Sequence, residues 1–140
     1  MKLLSLTVLT LFSGLWVHAQ KEQDSLYPVF KLVASKHYTH HVGKYEFDTL
    51  TSGEVGEFEV AYTNTGNAPL VLLNVKTSCG CMVASWPREP VLPGDTALIK
   101  VRLSTHGRFG MNHKSMTIVH NASTSPEIVV FAGYIRRGKE

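Results

Sequence analysis

From Lys44 onward the chain is cut into short runs rich in Val, Ile, Phe, Tyr and Thr, each stopped by Gly, Pro, Asn or Asp. β-branched and aromatic runs broken this often specify packed strands rather than helices. Glu57 to Thr63 alternates strictly, with Phe58, Val60 and Tyr62 on one face and Glu57, Glu59 and Thr63 on the other. Ala97, Ile99, Val101 and Leu103 form a second inward stripe, with Thr96, Lys100, Arg102 and Ser104 outward. Leu70 to Val75 is apolar on both faces and reads as a central strand. Met82–Trp86 is a short strand stopped by Pro87, and Lys114–His120 and Glu127–Ile135 are the last two strands. Turns fall at Asn64–Pro69, at Pro93-Gly94-Asp95 and in the glycine-bearing loop Thr105–Gly110. About seven strands follow from this spacing. Parallel neighbours need long crossovers and the gaps here are short. The expectation is therefore an all-β, antiparallel β-sandwich over residues 44–136, its sheets ~10 Å apart.

The preceding residues are of a different kind. Lys2, the apolar stretch Leu3–Val17 and the tripeptide Val17-His18-Ala19 together read as a secretory signal peptide, residues 1–19, cleaved after Ala19. The stretch is short for a bilayer span of ~20 residues, and no Cys follows it as a lipid attachment point. The product is expected to be periplasmic or extracellular, with no membrane span once the leader is removed. Residues 20–43 read as a polar N-terminal tether with a strand at Phe30–Ala34, and residues 137–140 as a basic tail. What remains after cleavage is of a size that buries roughly two-thirds of its unfolded surface. With 44% hydrophobic and 18% charged residues it is no disordered chain. The net charge of +3 is scattered, apart from Arg136, Arg137 and Lys139 at the end. Nucleic-acid binding calls for a basic face, and none is present, so nucleic acid is excluded as a partner.

Cys79-Gly80-Cys81 is the chemically unusual segment. An even Cys count in an oxidising compartment favours a disulfide, and within one chain only Cys79 with Cys81 can form it. In a flat strand two residues apart means ~6.6 Å, whereas a disulfide wants Cβ atoms ~3.8 Å apart. Closure therefore requires a turn, which Gly80 permits. Such a ring is a weak staple, worth ~1.6 kcal/mol on the chain-entropy formula. Three readings follow: a structural or redox-labile disulfide, two free thiols in a packing role, or a soft-metal site. In the last, Cys79 and Cys81 would hold Cu(I) with Met82, Met111, Met116 or His113 as further donors. Copper is the one cofactor alternative; otherwise no cofactor and no metal is expected.

Other residues carry less. Arg108 and Phe109, in Gly107-Arg108-Phe109-Gly110, could meet an anion through the guanidinium and loop amides, but such glycines more often serve to allow φ > 0. His37, His40 and His41 belong to the tether. His113 and His120 fall on opposite faces of one strand, and His106 could cap the glycine loop but reads first as an ordinary loop residue. Trp86 reads as core or rim packing. Asn121-Ala122-Ser123 fits a glycosylation sequon. No nucleophile elbow or phosphate loop is present, and no spacing supports a Cys79–His113 pair. The chain is read as no enzyme.

Asn64-Thr65-Gly66-Asn67-Ala68-Pro69-Leu70, Thr77-Ser78-Cys79-Gly80-Cys81, Trp86-Pro87, Pro93-Gly94, Gly107-Arg108-Phe109-Gly110 and a closing Gly133-Tyr134-Ile135 follow one another in the chain. In that order they resemble a secreted bacterial Ig-like family, domain of unknown function 1573, over about residues 44–136. The chain departs from that pattern at Met82, where Thr is usual, and at Ser104-Thr105-His106, where Asp is common. The resemblance implies an Ig-like sandwich of PapD and Hydin type and no established activity. The expected function is an exported, non-enzymatic binding or assembly module whose partner is an envelope protein or surface polymer. The binding-loop candidates are Ser78, Gly80, Met82, Arg108 and Phe109; the alternative is a thiol-redox or copper-handling protein centred on Cys79 and Cys81.

Overall fold

The computed structural model describes residues 28–32, 37–39 and 42–138, the second group by backbone alone. The expected leader, Val33 and Ala34 of the expected strand Phe30–Ala34, His40, His41 and Lys139 lie outside them. The described residues contain ten strands: β1 (Phe30–Leu32), β2 (His37–Thr39), β3 (Val42–Glu46), β4 (Leu50–Thr51), β5 (Val55–Asn64), β6 (Leu72–Thr77), β7 (Met82–Ser85), β8 (Thr96–Ser104), β9 (Gly110–His120) and β10 (Glu127–Arg136). They form two sheets. One has the order β1-β5-β8-β7; the other has β2-β3-β10-β9-β6, with β4 also on β10. The protein is an all-β, Ig-like sandwich, and the segment read as a tether contributes β1, β2 and the start of β3 to it.

The alternating stripes place the core. Val60, Tyr62, Ile99, Val101 and Leu103 face inward from the smaller sheet, and Met116, Ile118, Val129, Phe131 and Ile135 from the larger; each is at most 3% exposed. Phe30 joins them by stacking on Tyr62 at 5.2 Å and on His120 at 4.7 Å. At the other end Phe131 lies 5.3 Å from Tyr45 and 5.8 Å from Phe58, and Phe47 lies 5.4 Å from Phe58. Tilted rings at these separations attract beyond the area they bury.

Two expectations are corrected. The sandwich is not wholly antiparallel: β3 and β4 both pair parallel with β10. Short gaps rule out parallel pairing only between neighbours in sequence. β3 and β10 are separated by most of the domain, which itself supplies the long connection. Nor is β6 central. It is the last strand of its sheet, and a register shift between Leu72 and Asn74 turns Leu72 and Val75 both inward despite their odd spacing. Leu73 is left 57% exposed.

Buried polar groups tie the connections to the strands. Asn64 is fully buried and its amide is fully used. Nδ2 donates to the Ala68 and Val91 carbonyls at 2.7 and 2.9 Å, while Oδ1 accepts from the Val29 and Gly66 amides at 3.3 and 3.0 Å. One side chain thus fixes the approach to β1, the turn after β5 and the bridge between Leu70 and Val91. Thr105 is buried with its hydroxyl between the Thr51 and Glu54 carbonyls at 2.9 and 2.7 Å. Asn121 accepts from the Val71 amide at 2.9 Å and donates to the Pro69 carbonyl at 3.1 Å.

Gly133 and Tyr62 yield two measurable consequences. A Cβ on Gly133 would stand 2.3 Å from the Phe47 ring. Gly133→Ala is expected to lower stability by about 1–3 kcal/mol through overpacking, read as a fall in the urea midpoint; an unchanged midpoint would show that Phe47 moves aside freely. Burial pushes the Tyr62 phenol above its ordinary value of 10.0. The folded value therefore exceeds the unfolded one, so this contribution to stability is complete below pH 10.0 and is lost as pH rises through the folded value. Urea midpoints in an alkaline pH series should fall for the native chain and fall less for Tyr62→Phe.

Candidate functional site

The Cys-x-Cys segment forms the corner where the chain leaves one sheet for the other. β6 ends at Thr77 and β7 begins at Met82, the last strands of their respective sheets. Between them Cys79 and Cys81 are joined by a disulfide, with their Cα atoms 5.2 Å apart. The corner is anchored on both sides. Ser78 donates its amide to the Ser115 carbonyl of β9 at 2.9 Å and accepts the Ser115 amide on its hydroxyl at 3.0 Å. The Cys81 carbonyl accepts from Ser104 of β8 at 2.8 Å. The Thr77 hydroxyl spans the turn, 2.9 Å from the Met82 carbonyl and 3.2 Å from that of Cys79. Both sulfur residues are half-buried against the core. Gly80 is exposed, lacks a positive φ, and has nothing within 4 Å of where a Cβ would sit. The turn closes the ring without the special freedom of glycine.

The further sulfur and imidazole donors do not converge on this corner. Met82 pairs with Leu103 and is 2% exposed inside the sandwich, and Met116 is fully buried. Met111 and His113 lie on the solvent-facing side of β9, Met111 at 65% exposure. A core thioether and an outward imidazole cannot share one ion. Of the binding-loop candidates, the corner therefore displays Ser78 and Gly80 but not Met82.

The Arg108 loop is the second sequence candidate. Gly107 and Gly110 have φ of 68° and 84°, the left-handed conformations that favour glycine. Arg108 donates its amide to Thr105 and is half-buried, its Nε enclosed without a hydrogen-bond partner. Phe109 is 58% exposed beneath the Arg137 guanidinium, 4.4 Å from the ring centre. His106 is exposed beside them. Trp86 packs on the core and is covered by Arg88 at 4.1 Å.

A third feature lies on the opposite flank and has no counterpart among the sequence candidates. β1 pairs with β5 only at Tyr62, Thr63 and Asn64. β8 runs along the other side of β5 from Val55 to Thr63. Among the described residues, no strand covers residues 55–61 of β5 on the β1 side. The aromatic rings of Tyr45, Phe47 and Phe58, with Leu50 and Val55, line a groove of about 350 Å³. A neighbouring concavity of about 600 Å³ shares Tyr45, Glu57 and Phe58 and reaches across to Val83 and Arg102. On the outer face, Glu57 pairs with Arg102 at 3.1 Å and Glu59 stands opposite Lys100. The Glu-Phe-Glu alternation was visible in the sequence. The groove was not, because its walls come from strands distant in sequence.

Comparison with known proteins bears on the fold. A Porphyromonas gingivalis protein of unknown function superposes with a TM-score of 0.64 at 18% identity over 79% of this chain, which spans 48% of that protein. PapD-like domain 7 of human CEP192 superposes with a TM-score of 0.59 at 9% identity, covering 83% of this chain and 89% of the domain. The Vibrio cholerae protease VesB gives 0.53 at 8% identity, with 89% of this chain covering 35% of it. At such identities the likeness is one of fold. No curated protein matches in sequence. The match to a family model is direct, over residues 39–135, and the chain belongs to the family described as protein of unknown function, DUF1573.

Proposed function

We propose that the protein is an exported, non-enzymatic Ig-like module that docks to an envelope protein or surface polymer through its strand edges. The observation that carries this is the exposed edge strand of each sheet: β7 ends one with Val83 63% exposed, and β6 ends the other with Leu73 57% exposed. Unpaired N–H and C=O groups on a sheet edge are templates for another strand. The leader-like residues 1–19 support export, and the PapD-like fold supports the mode by analogy.

The half-exposed three-residue ring at Cys79 and Cys81 favours a second reading, exchange of that disulfide with a partner thiol. Replacing both residues by Ser separates the two. If docking is the function, cross-linked capture from the native envelope followed by mass spectrometry should recover the same partner with the C79S/C81S variant. The stability loss should be no more than ~1.6 kcal/mol, as expected for so small a loop. Loss of the partner from a variant that remains folded would instead assign function to the disulfide.

A further inference from the structure

We propose that the edge of β9 below Ser115 receives an extended segment of a partner polypeptide in which apolar residues alternate with Asp or Glu. This rests on the docking function proposed above and names its site and the chemistry of its partner.

The corner at Cys79 and Cys81 creates the edge. β9 pairs with β10 without a break from Gly110 to Ile118, whereas β6 pairs with it only from His120 down to Met116. Ser78 adds a final pair of bonds to Ser115, in which a hydroxyl already stands in for one main-chain group. Beyond Ser78 the chain turns away, and at Met82 it is paired with Leu103 in the other sheet. In an antiparallel strand, successive residues direct their N–H and C=O to opposite neighbours. Ser115 bonds toward β6, so the groups of His113 and Met111 face the same side, where none of the described strands meets them. Both residues are exposed. β6 and β7 end on this same flank. Met82 gives its amide to Cys79 and its carbonyl to Thr77, which leaves β7 little to offer. β6 carries a bulge and Lys76, features that blunt an edge. The connection from β1 to β2 cannot fill the place beside β9. From Leu32 to His37 the chain spans at most ~18 Å fully extended. A strand on this side of β9 lies four spacings from β2, or ~19 Å.

The side chains set the partner. An added antiparallel strand shares the pleat of β9, so residues level with Met111 and His113 turn outward and those level with Asn112 turn toward the other sheet. The outward positions meet Met111, 65% exposed, and beyond it Tyr134, its cross-strand partner, 49% exposed. Phe109 extends this surface past Gly110 at 58% exposure. Large apolar side chains exposed side by side mark a contact surface, unlike single scattered ones. The positions turned toward the other sheet meet Lys114, which shares the face of Asn112. The formal charge around the edge has one sign. Residues 75–85, 105–120 and 128–138 supply the corner, the edge and the strand behind it; they hold Lys76, Arg108, Lys114, Arg136 and Arg137 and no Asp or Glu. Glu127, at the far end of β10, is buried. Glu46 lies across Ala132 from His113 and is bonded by Lys44 at 2.7 Å. The Glu54 carboxylate accepts the Thr51 amide at 2.6 Å. A carboxylate on the partner therefore meets cations at this edge, and a Lys or Arg meets like charge.

The probe is a short synthetic peptide alternating Val with Glu, compared with its Glu-to-Lys counterpart on residues 20–140, with amide exchange followed by NMR and affinity by calorimetry. The Glu peptide should slow exchange at Met111 and His113 and leave β6 and β7 unchanged. The Lys peptide should bind at least about tenfold more weakly, or ~1.4 kcal/mol. The K114Q/R137Q variant should narrow that gap. In antiparallel pairing the Val amides face β9 and the Glu amides face away. N-methylation of the Val amides should therefore weaken binding at least about tenfold, while N-methylation of the Glu amides should leave it nearly unchanged. Equal affinity for the Glu and Lys peptides overturns the proposal, as does equal loss from the two methylated forms. Polyglutamate binding as tightly as the alternating peptide overturns it too, and would mark an anion site without strand addition. Protection at β6 or β7 alone overturns it by relocating the site, while leaving the docking function standing. Protection of Met111 and His113 in the free monomer would mean that the chain covers its own edge, and protection that disappears on dilution would mean that a second copy covers it; either result overturns the proposal. Failure of the docking function itself would appear separately, as no partner captured from the envelope.

Discussion

The contact of Phe131 with Tyr45 and Phe58 is the join on which the architecture depends. Phe131 lies midway along β10, Tyr45 on β3 and Phe58 on β5. Three rings therefore hold together the central strand of the larger sheet, its parallel neighbour and the opposite sheet. Parallel pairing of β3 with β10 gives the larger sheet its extra width beyond β5. Tyr45 and Phe47 thereby form an aromatic floor beside Phe58. Gly133 makes this possible from below, because only hydrogen fits beneath the Phe47 ring.

The two flanks solve the same problem differently. On one, β6 and β7 pass into each other through a corner bonded to Ser115 and Ser104 and closed by sulfur. The sheets are stitched there by a connection too short to slide. On the other, single side chains make the join: Asn64 ties the connections near the top of β5, and Phe58 packs on Tyr45 and Phe131 lower down. Edge strands left open invite pairing with other chains.

What was legible in the sequence follows from which interactions are local. Period-two alternation placed Phe58, Val60 and Tyr62, and Ile99, Val101 and Leu103, on the faces they occupy, because pleat and burial share one period. The impossibility of closing an extended Cys-x-Cys correctly implied a turn. The role given to Gly80 did not hold, since the turn uses ordinary φ. Met82 looked available as a donor, but its phase in β7, opposite Leu103, sends it into the core. The bulge in β6 and the parallel partner of β10 were hidden for a common reason: each is set by a strand distant in sequence. The pairing of β1 with β5 and the aromatic groove lined by Tyr45, Phe47 and Phe58 are hidden in the same way.

The place of β10 also governs how the chain assembles. β3, β4 and β9 all attach to a strand that begins at Glu127. Until that strand is synthesised, the early strands have no template in the larger sheet. Loop closure across most of the domain must come first, and folds dominated by such distant pairings form slowly. A nascent chain of this design stays open until β10 has been made. Products truncated before Glu127 would be released with the aromatic floor bare, as substrates for proteolysis or aggregation.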